Sequence, residues 1–327
     1  MSTQGQGDNG MFVVTTMENV YYRRATADDY TEVVSLRDNL YHGLDYLSSQ
    51  YHHLLANHTG FCGYSDNQMV SFMFAALIDD KETIVVRAAR VKKEFEKRGI
   101  YTKMKNFCLQ SFSKTVIRQS SCLFSCDHRD NAIAKGGKLV WQRARITLTT
   151  EKLSKQTLFQ SESLHVSMTM VDANSLAELF CSPEAINHLL PENFIVVNSI
   201  PYKLRPSNIS HFLTSDRAMC ASYPKTQDRS QMSIPVLVSI ANKIKCEAGT
   251  RLNLDFYGDI CHEEHVAHHI VAQMARYISV DDVKIFIFVT FPMHKSDDVL
   301  LKVTEQLSLR VMSRGFHYGI EHSVYFD

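Results

Sequence analysis

The segment RVKKEFEKRGIYTKM, residues 90–104, lies between two apolar stretches and decides the fold. Before it, TIVVRAARV, residues 83–91, is rich in β-branched residues and predicts a strand. After it, IYTKMKNFCLQSF, residues 100–112, has apolar residues at helical spacing. The segment therefore predicts a buried strand that enters a helix through a charged turn with a single glycine, Gly99.

A turn of this kind has the elements of an anion-binding site. The first backbone N–H groups of a helix have no intrahelical partner, and the helix dipole favours negative charge there. Lys97 and Arg98 add positive charge, and Gly99 would let a phosphate group approach the backbone. The alternative interpretation is a solvated turn at an ordinary helix start.

Length and composition limit the class of protein. A chain of 327 residues predicts two domains, at about 100–200 residues per domain. Lys and Arg balance Asp and Glu, so the chain lacks the basic charge typical of a nucleic-acid-binding protein. No apolar run approaches the roughly 18 residues that a membrane span needs. We therefore expect neither nucleic acid nor a membrane as a partner.

The opening MSTQGQGDNG is polar and glycine-rich, so we interpret residues 1–17 as a disordered tail. It lacks the charged and apolar regions of a secretory signal. We therefore expect cytoplasmic localisation, with the eight cysteines reduced and packed as small apolar side chains.

Residues 18–160 predict one mixed α/β domain. Their pattern gives a strand, two helices and three strands with short connections. The 90–104 segment follows, and then a helix, a strand, a short helix and a late strand. Thr26 and Asp29 have the spacing of a capping box before the first helix. Trp141, the only tryptophan, lies in the late strand and is expected in the core.

Residues 161–327 predict a second mixed α/β domain, after a polar stretch that we interpret as a linker or exposed hairpin. Strands and helices alternate again. Helices are predicted over residues 262–278 and 297–313, and Gly315 stands where a C-cap glycine would end the second. His265 and His269 lie four residues apart in the first of these helices. We interpret them as part of a polar helix face and predict no metal site.

The turn EKRGIY after the strand VVRAARV resembles the acyl-CoA loop of the Gcn5-related N-acetyltransferases. Residues upstream resemble the N-terminal region of the vertebrate histidine N-acetyltransferase family. They are Arg24, Ala25, Asp29, Tyr30, Gly43, Asp45, Tyr46, Leu47, Tyr51, His52 and Leu54, followed by Ala89, Arg90 and Val91. The resemblance implies a Gcn5-related acetyltransferase-like N-terminal domain and a second, related, non-catalytic domain.

The resemblance implies acetyl-CoA-dependent N-acetylation of a small amine, with the α-amino group of L-histidine as the first candidate. The implied acyl-CoA site comprises Val91, Lys97, Arg98, Gly99, Ile100, Tyr101 and Asn131. Two residues depart from the family loop. Glu96 stands where Gln or Arg is expected, and Tyr101 stands where Gly or Ala is expected.

Acetyl transfer needs a neutral amine, a donor to the developing oxyanion and an acid for the leaving thiolate. In the family the oxyanion donor is often a backbone N–H at a strand bulge. The acid follows the fifth strand, here in residues 127–141, where Asn131 fits the Asn that opens a short helix. The expected Tyr is missing from this stretch, so His128 is the candidate acid.

The acceptor side is predicted from the first two helices and their loop, with arginines from the strand; helix packing is the alternative role for Tyr46. A free amino acid presents a carboxylate, which arginine binds well, so Arg87 and Arg90 are candidates. Only one face of their strand can point inward. Asp45 is a candidate for binding an ammonium or imidazole group, and Tyr46 for stacking on a ring.

A second hypothesis belongs to a different class of protein. The chain would then be a catalytically impaired acetyltransferase-fold protein that serves as a binding or scaffold module. Glu96, Tyr101 and the missing tyrosine favour this alternative.

Overall fold

The computed structural model describes residues 20–112, 115–150, 168–214, 216–224, 234–279 and 281–324. The predicted tail, residues 1–17, and the predicted boundary between residues 160 and 161 lie outside these ranges. The domain limits therefore stay a prediction.

The first half contains elements close to the predicted ones. In chain order they are β1 (Tyr21–Arg24), α1 (Tyr30–Ser35), α2 (Leu47–Asn57), β2 (Thr59–Ser65), β3 (Gln68–Ile78), β4 (Thr83–Val91), α3 (Ile100–Gln110), β5 (Arg118–Leu123), α4 (Cys126–Ala134) and β6 (Lys138–Thr150). The capping box forms, since the Asp29 carboxylate accepts a hydrogen bond from the Thr26 backbone N–H at 2.7 Å.

The described part of the second half has a similar series. Its elements are β7 (Met168–Met170), α5 (Ala173–Cys181), α6 (Pro183–Leu189), β8 (Phe194–Val197), β9 (Ile200–Lys203), β10 (Arg217–Ser222), β11 (Leu237–Cys246), β12 (Gly249–Gly258), α7 (Glu263–Tyr277), β13 (Ile285–Pro292), α8 (Asp298–Gln306) and β14 (Arg310–Ser323).

Twelve of these strands form one sheet in the order β1-β2-β3-β4-β5-β14-β6-β13-β12-β11-β10-β7. Each half contributes a strand to its neighbour, because β14 lies between β5 and β6 while β6 pairs with β13. Counted inward from either edge, the fourth and fifth strands pair in parallel, as β4 with β5 and β12 with β13. The two halves therefore have the same strand topology, which confirms two related mixed α/β units.

Helices cover both faces of the sheet through clusters of apolar side chains. Helices α7 and α8 cover β6, β12 and β13 with one cluster, whereas α1 and α2 pack on β2 and β3 with another. Trp141 is 2% exposed, as expected for a core residue. The turn between β4 and α3 lies at the surface, since residues 96–99 are exposed.

The second predicted helix of the C-terminal half ends earlier than expected. Helix α8 ends at Gln306, and Ser308 adopts a left-handed backbone with φ of 55°. Residues 310–314 then pair with β6, so their backbone groups bond to a strand and not within a helix. Gly315 lies inside β14, and its prediction as a C-cap glycine was wrong.

Candidate functional site

The turn between β4 and α3 has the backbone of an open helix start. Gly99 is the N-cap residue of α3 with φ of 75°, and Lys97 is also left-handed with φ of 61°. A Cβ atom at Gly99 would meet no atom within 4 Å. The N-terminus of α3 therefore faces open space that an anion could enter.

A cavity of about 480 Å³ lies against this turn. Its lining consists of Val91, Phe95, Glu96, Lys97, Gly99, Ile100 and Tyr101. Five of the seven residues predicted for acyl-CoA binding thus border one space. Tyr101, the bulky departure from the family loop, is 42% exposed and lines this space.

The other two predicted residues of this site do not line the cavity. The Arg98 guanidinium lies 5.1 Å from the Phe95 ring centroid, outside the cavity lining. Helix α4 begins at Cys126 with Ser125 as its N-cap, so Asn131 does not open this helix. Asn131 and His128 are both exposed on α4. Their predicted roles therefore have no geometric support from this helix start.

Glu96, the second departure, forms an ion pair with Arg37. Arg37 also donates to the Val91 carbonyl at 3.4 Å, which holds its guanidinium at the end of β4. The carboxylate that would repel a phosphate group is therefore balanced by a cation from the segment after α1.

The Arg37–Glu96 pair gives a test of the electrostatics of the cavity. Glu96→Gln is expected to tighten acetyl-CoA binding about two- to fivefold, because it leaves Arg37 unpaired beside the turn; exposed pairs contribute less than about 1 kcal/mol. Arg37→Gln is expected to weaken binding by a similar factor. Calorimetric titration measures both, and the double variant serves as the charge-matched control. A shift of both single variants in the same direction would refute the electrostatic explanation.

Strand β4 contains a bulge opposite β3. Arg87 pairs with Phe74 and Arg90 with Phe72, so Ala88 and Ala89 oppose the single residue Met73. Ala88 has φ of 52°, a left-handed conformation. A bulge of this kind takes backbone groups out of the ladder. It supplies the type of N–H donor that the oxyanion of acetyl transfer needs.

Strands β4 and β5 separate just before the bulge. They pair only where residues 83–85 lie beside residues 118–120. Beyond this point β4 continues along β3, whereas β5 continues along β14. The C-terminal ends of the two strands therefore diverge next to the bulge and leave an opening between them.

The four residues predicted for the acceptor side come together at this bulge. Arg90 forms a buried ion pair with Asp45. Arg87 donates to the Tyr46 hydroxyl at 3.3 Å, and its guanidinium lies 5.0 Å from the Tyr46 ring centroid. Residues three apart in a regular strand face opposite sides, so the extra residue of the bulge places both arginines on one face. Asp45 and Arg90 bind each other in this arrangement.

Tyr318 is a candidate acid that the sequence reasoning missed. Its hydroxyl lies 3.1 Å from the Cys126 sulfur at the first residue of α4, and the Arg129 guanidinium lies 4.7 Å from its ring centroid. Burial, and then the contact with Cys126, raise the pKa of Tyr318. The phenol therefore stays protonated at neutral pH, as an acid must. Because β14 brings it from far along the chain, no local signal near α4 could have found it.

The equivalent region of the second half is closed. Strand β12 pairs with β11 along its whole length without a register shift, and β12 stays beside β13 as far as Asp255 and Thr290. Arg143 occupies this position, with bonds to the Phe256 carbonyl and the Thr290 hydroxyl. The first turn of α7 carries Glu263 and Glu264, which would repel a phosphate group.

The histidines of α7 are buried, which corrects the predicted polar helix face. His265 is 8% and His269 0% exposed, and their rings bond to the hydroxyls of Ser222 and Ser239, each at 2.7 Å. Within the residues that the structure describes, no group of three or more potential ligands is placed to hold a metal ion. Nor does any helix in the described ranges have the length and apolar character needed to cross a membrane.

The joint sheet with its bulged strand, its separated strands and its open helix start defines a fold of the Gcn5-related N-acetyltransferase type. Two solved structures share it. A tandem protein of this type from the clavulanic acid biosynthesis pathway has a TM-score of 0.55 at 10% identity, over 94% of this chain and 100% of that chain. A Gcn5-related N-acetyltransferase from Sphaerobacter thermophilus has a TM-score of 0.53 at 8% identity, over 94% and 97%.

Within this fold, the sequence is similar to the histidine N-acetyltransferases, which confirms the resemblance. A family profile described as "Histidine N-acetyltransferase, C-terminal" matches residues 164–291. The histidine N-acetyltransferase of Oreochromis niloticus is 23% identical over 211 residues, and that of Scomber australasicus is 22% identical over 208 residues. Each match covers 59% of this chain and 62% of the relative, so the chain spans about three fifths of their length.

Proposed function

We propose that this protein is an acetyl-CoA-dependent N-acetyltransferase that acts on the α-amino group of a small amino acid, with L-histidine as the first candidate. The observation that carries the proposal is the bulge at Ala88 and Ala89 beside the opening between β4 and β5. The sequence similarity to histidine N-acetyltransferases supports the choice of acceptor.

Acetyl-CoA supplies the acetyl thioester in this proposal, and the cavity at the start of α3 fits its phosphate groups. Backbone N–H groups of Gly99, Ile100 and Tyr101 would bind the pyrophosphate, with Lys97 adding positive charge. Val91, at the end of β4, would border the chain that leads to the bulge. Arg98 and Asn131 stay predictions for the same ligand.

The residues of the first half have distinct roles in the proposed reaction. An N–H group of the β4 bulge donates to the oxygen that gains negative charge. Tyr318, with His128 as the other candidate, donates a proton to the leaving thiolate, and the proton that the amine loses on forming the amide passes through solvent to restore the acid. Tyr46 and Arg87 border the acceptor, and the Asp45–Arg90 pair holds their loop against the strand. The second half is proposed to be non-catalytic, since its equivalent opening is closed by Arg143.

Two measurements test the proposal. Calorimetric titration with acetyl-CoA and, separately, with CoA tests the cavity. Incubation with acetyl-CoA and a panel of amino acids and small amines, with release of free CoA as the readout, tests the reaction. We expect L-histidine to yield Nα-acetylhistidine, at a rate that rises with pH as the ammonium group loses its proton.

The alternative hypothesis, a binding or scaffold module, predicts a different pair of results. Acetyl-CoA would bind, but no amine would release CoA faster than background hydrolysis. If acetyl-CoA does not bind at all, the proposed function is refuted and only the fold remains.

A further inference from the structure

The central strands of the joint sheet carry polar side chains on one face. Their opposite face packs under α7 and α8 through Ile146, Leu148, Leu252 and Leu254. Since side chains alternate along a strand, the intervening residues point to the face on which α1 and α2 lie. On β6 and β12 these residues are Arg143, Arg145, Thr147, Arg251, Asn253 and Asp255.

Two of these arginines lie together beside Phe288. The Arg145 guanidinium is 5.6 Å and the Arg251 guanidinium 4.1 Å from the Phe288 ring centroid. Arg145 contacts His317 at 3.4 Å, and Arg251 donates to Asn253 at 2.7 Å and to the Leu44 carbonyl at 3.4 Å. Neither has a carboxylate oxygen within 4 Å among the described residues.

The partners of this arginine pair are neutral. Burial, and then the nearby arginines, lower the pKa of His317 to about 3, so its ring is uncharged at neutral pH. The Nε atom of Arg145 is buried and bonds to no described atom. Burial also lowers the pKa of both arginines. Arg145 and Arg251 are half-buried. Partly desolvated guanidinium groups without a carboxylate partner are unfavourable, so an anionic ligand would stabilise this pair.

Nearby carboxylates are bound elsewhere. Asp45 forms its ion pair with Arg90, and Asp255 accepts a hydrogen bond from Thr290. Burial raises the pKa of Asp255 to about 6, against the opposing effects of Arg143, the Thr290 hydrogen bond and Arg251. Neither acid therefore forms a direct ion pair with Arg145 or Arg251.

The arginine pair adjoins the proposed acceptor side. Leu44, which accepts the bond from Arg251, directly precedes Asp45 and Tyr46. The same loop is held against the second half, where the Ala248 N–H donates to the Gly43 carbonyl at 3.0 Å. Arg251 of β12 therefore contacts the acceptor loop, and Arg145 of β6 lies beside the same Phe288 ring as Arg251.

We propose that Arg145 and Arg251 bind the α-carboxylate of the acceptor amino acid. The inference rests on the proposed function and gives the second half a direct part in substrate recognition. Two guanidinium groups that lie 5.6 Å and 4.1 Å from the same ring centroid can each donate to an oxygen of one carboxylate. The predicted roles of Arg87 and Arg90 change accordingly, since Arg90 already holds Asp45 and Arg87 contacts Tyr46.

The test compares L-histidine with histamine, which has the same ring and amine but no carboxylate. Arg145→Gln and Arg251→Gln are each expected to raise the KM for L-histidine at least about tenfold, the usual effect of losing a charged hydrogen bond. The KM for histamine and the affinity for acetyl-CoA should stay within about twofold of the parent. Arg310→Gln, an exposed arginine of β14, is the matched control. Equal effects on both acceptors, or none, would overturn the inference.

A second measurement separates this inference from the proposed function and does not depend on turnover. The shift of the thermal unfolding midpoint by L-histidine, with histamine as the comparison, reports carboxylate binding directly. Suppose that L-histidine shifts the midpoint of the parent but of neither Gln variant, and that the parent transfers no acetyl group. The arginine site would then stand, and the proposed enzyme activity would be refuted. Acetyl transfer to L-histidine that neither Gln variant changes would refute the arginine site and retain the proposed enzyme. Arg145→Lys and Arg251→Lys keep the charge and provide folded comparisons if a Gln variant unfolds.

Discussion

Gly99→Asp is expected to weaken acetyl-CoA binding by more than a hundredfold. The new carboxylate would stand at the N-terminus of α3, within about 4–6 Å of the proposed pyrophosphate position. At such distances the repulsion in a partly solvated site is about 3 kcal/mol or more. Asp is among the residues that adopt left-handed backbone most readily, and the Gly99 position is open, so the fold should tolerate the change.

Gly136→Asp is the matched control for this prediction. Gly136 has φ of 84°, and a Cβ atom there would also meet nothing within 4 Å, but it follows α4 and lies outside the cavity lining. Calorimetric titration gives the affinities, and thermal unfolding followed by circular dichroism gives the stabilities. Equal affinity of Gly99→Asp and parent would mean that the turn is only a solvated helix start.

Tyr318→Phe is expected to lower kcat about a hundredfold, the usual size of a lost general acid. The KM for acetyl-CoA should change little, because the ring keeps its place and only the hydroxyl next to Cys126 is removed. His128→Ala is the comparison, since this exposed residue is expected to retain nearly full activity.

Steady-state kinetics with both substrates varied measures the two effects. The reverse outcome, with His128→Ala inactive and Tyr318→Phe unimpaired, would assign the acid to His128 and make the Tyr318–Cys126 contact purely structural. Circular dichroism spectra of both variants guard against an effect on folding.

Local patterns predicted the elements around the site well. The β2–β3 hairpin, β4, α3 and the capping box of Thr26 and Asp29 all depend on neighbouring residues in the chain. The turn containing Gly99 was found for the same reason, since one strand, one glycine and one helix start are visible within about 20 residues.

The parts that sequence reasoning missed depend on the register between paired strands, most of which lie far apart in the chain. The bulge at Ala88 and Ala89 contains no glycine, and only the register against β3 reveals it. Tyr318 reaches α4 because β14 is inserted beside β5, and Arg145 meets Arg251 because β6 borders β13. The error at Gly315 has the same origin, since pairing with β6 overrides a local helix pattern over residues 310–314.

The insertion of β14 has a consequence for synthesis on the ribosome. Cys126 and Tyr318 are in contact although 192 residues separate them, so the first half cannot complete its sheet when its own residues have emerged. Until β14 is made, β5 and β6 present unpaired edges to the surroundings, and such edges favour aggregation. Synthesis proceeds at about 5–20 residues per second, so β14 follows α4 by roughly ten seconds or more. The proposed cofactor-binding half can complete its sheet only after that time.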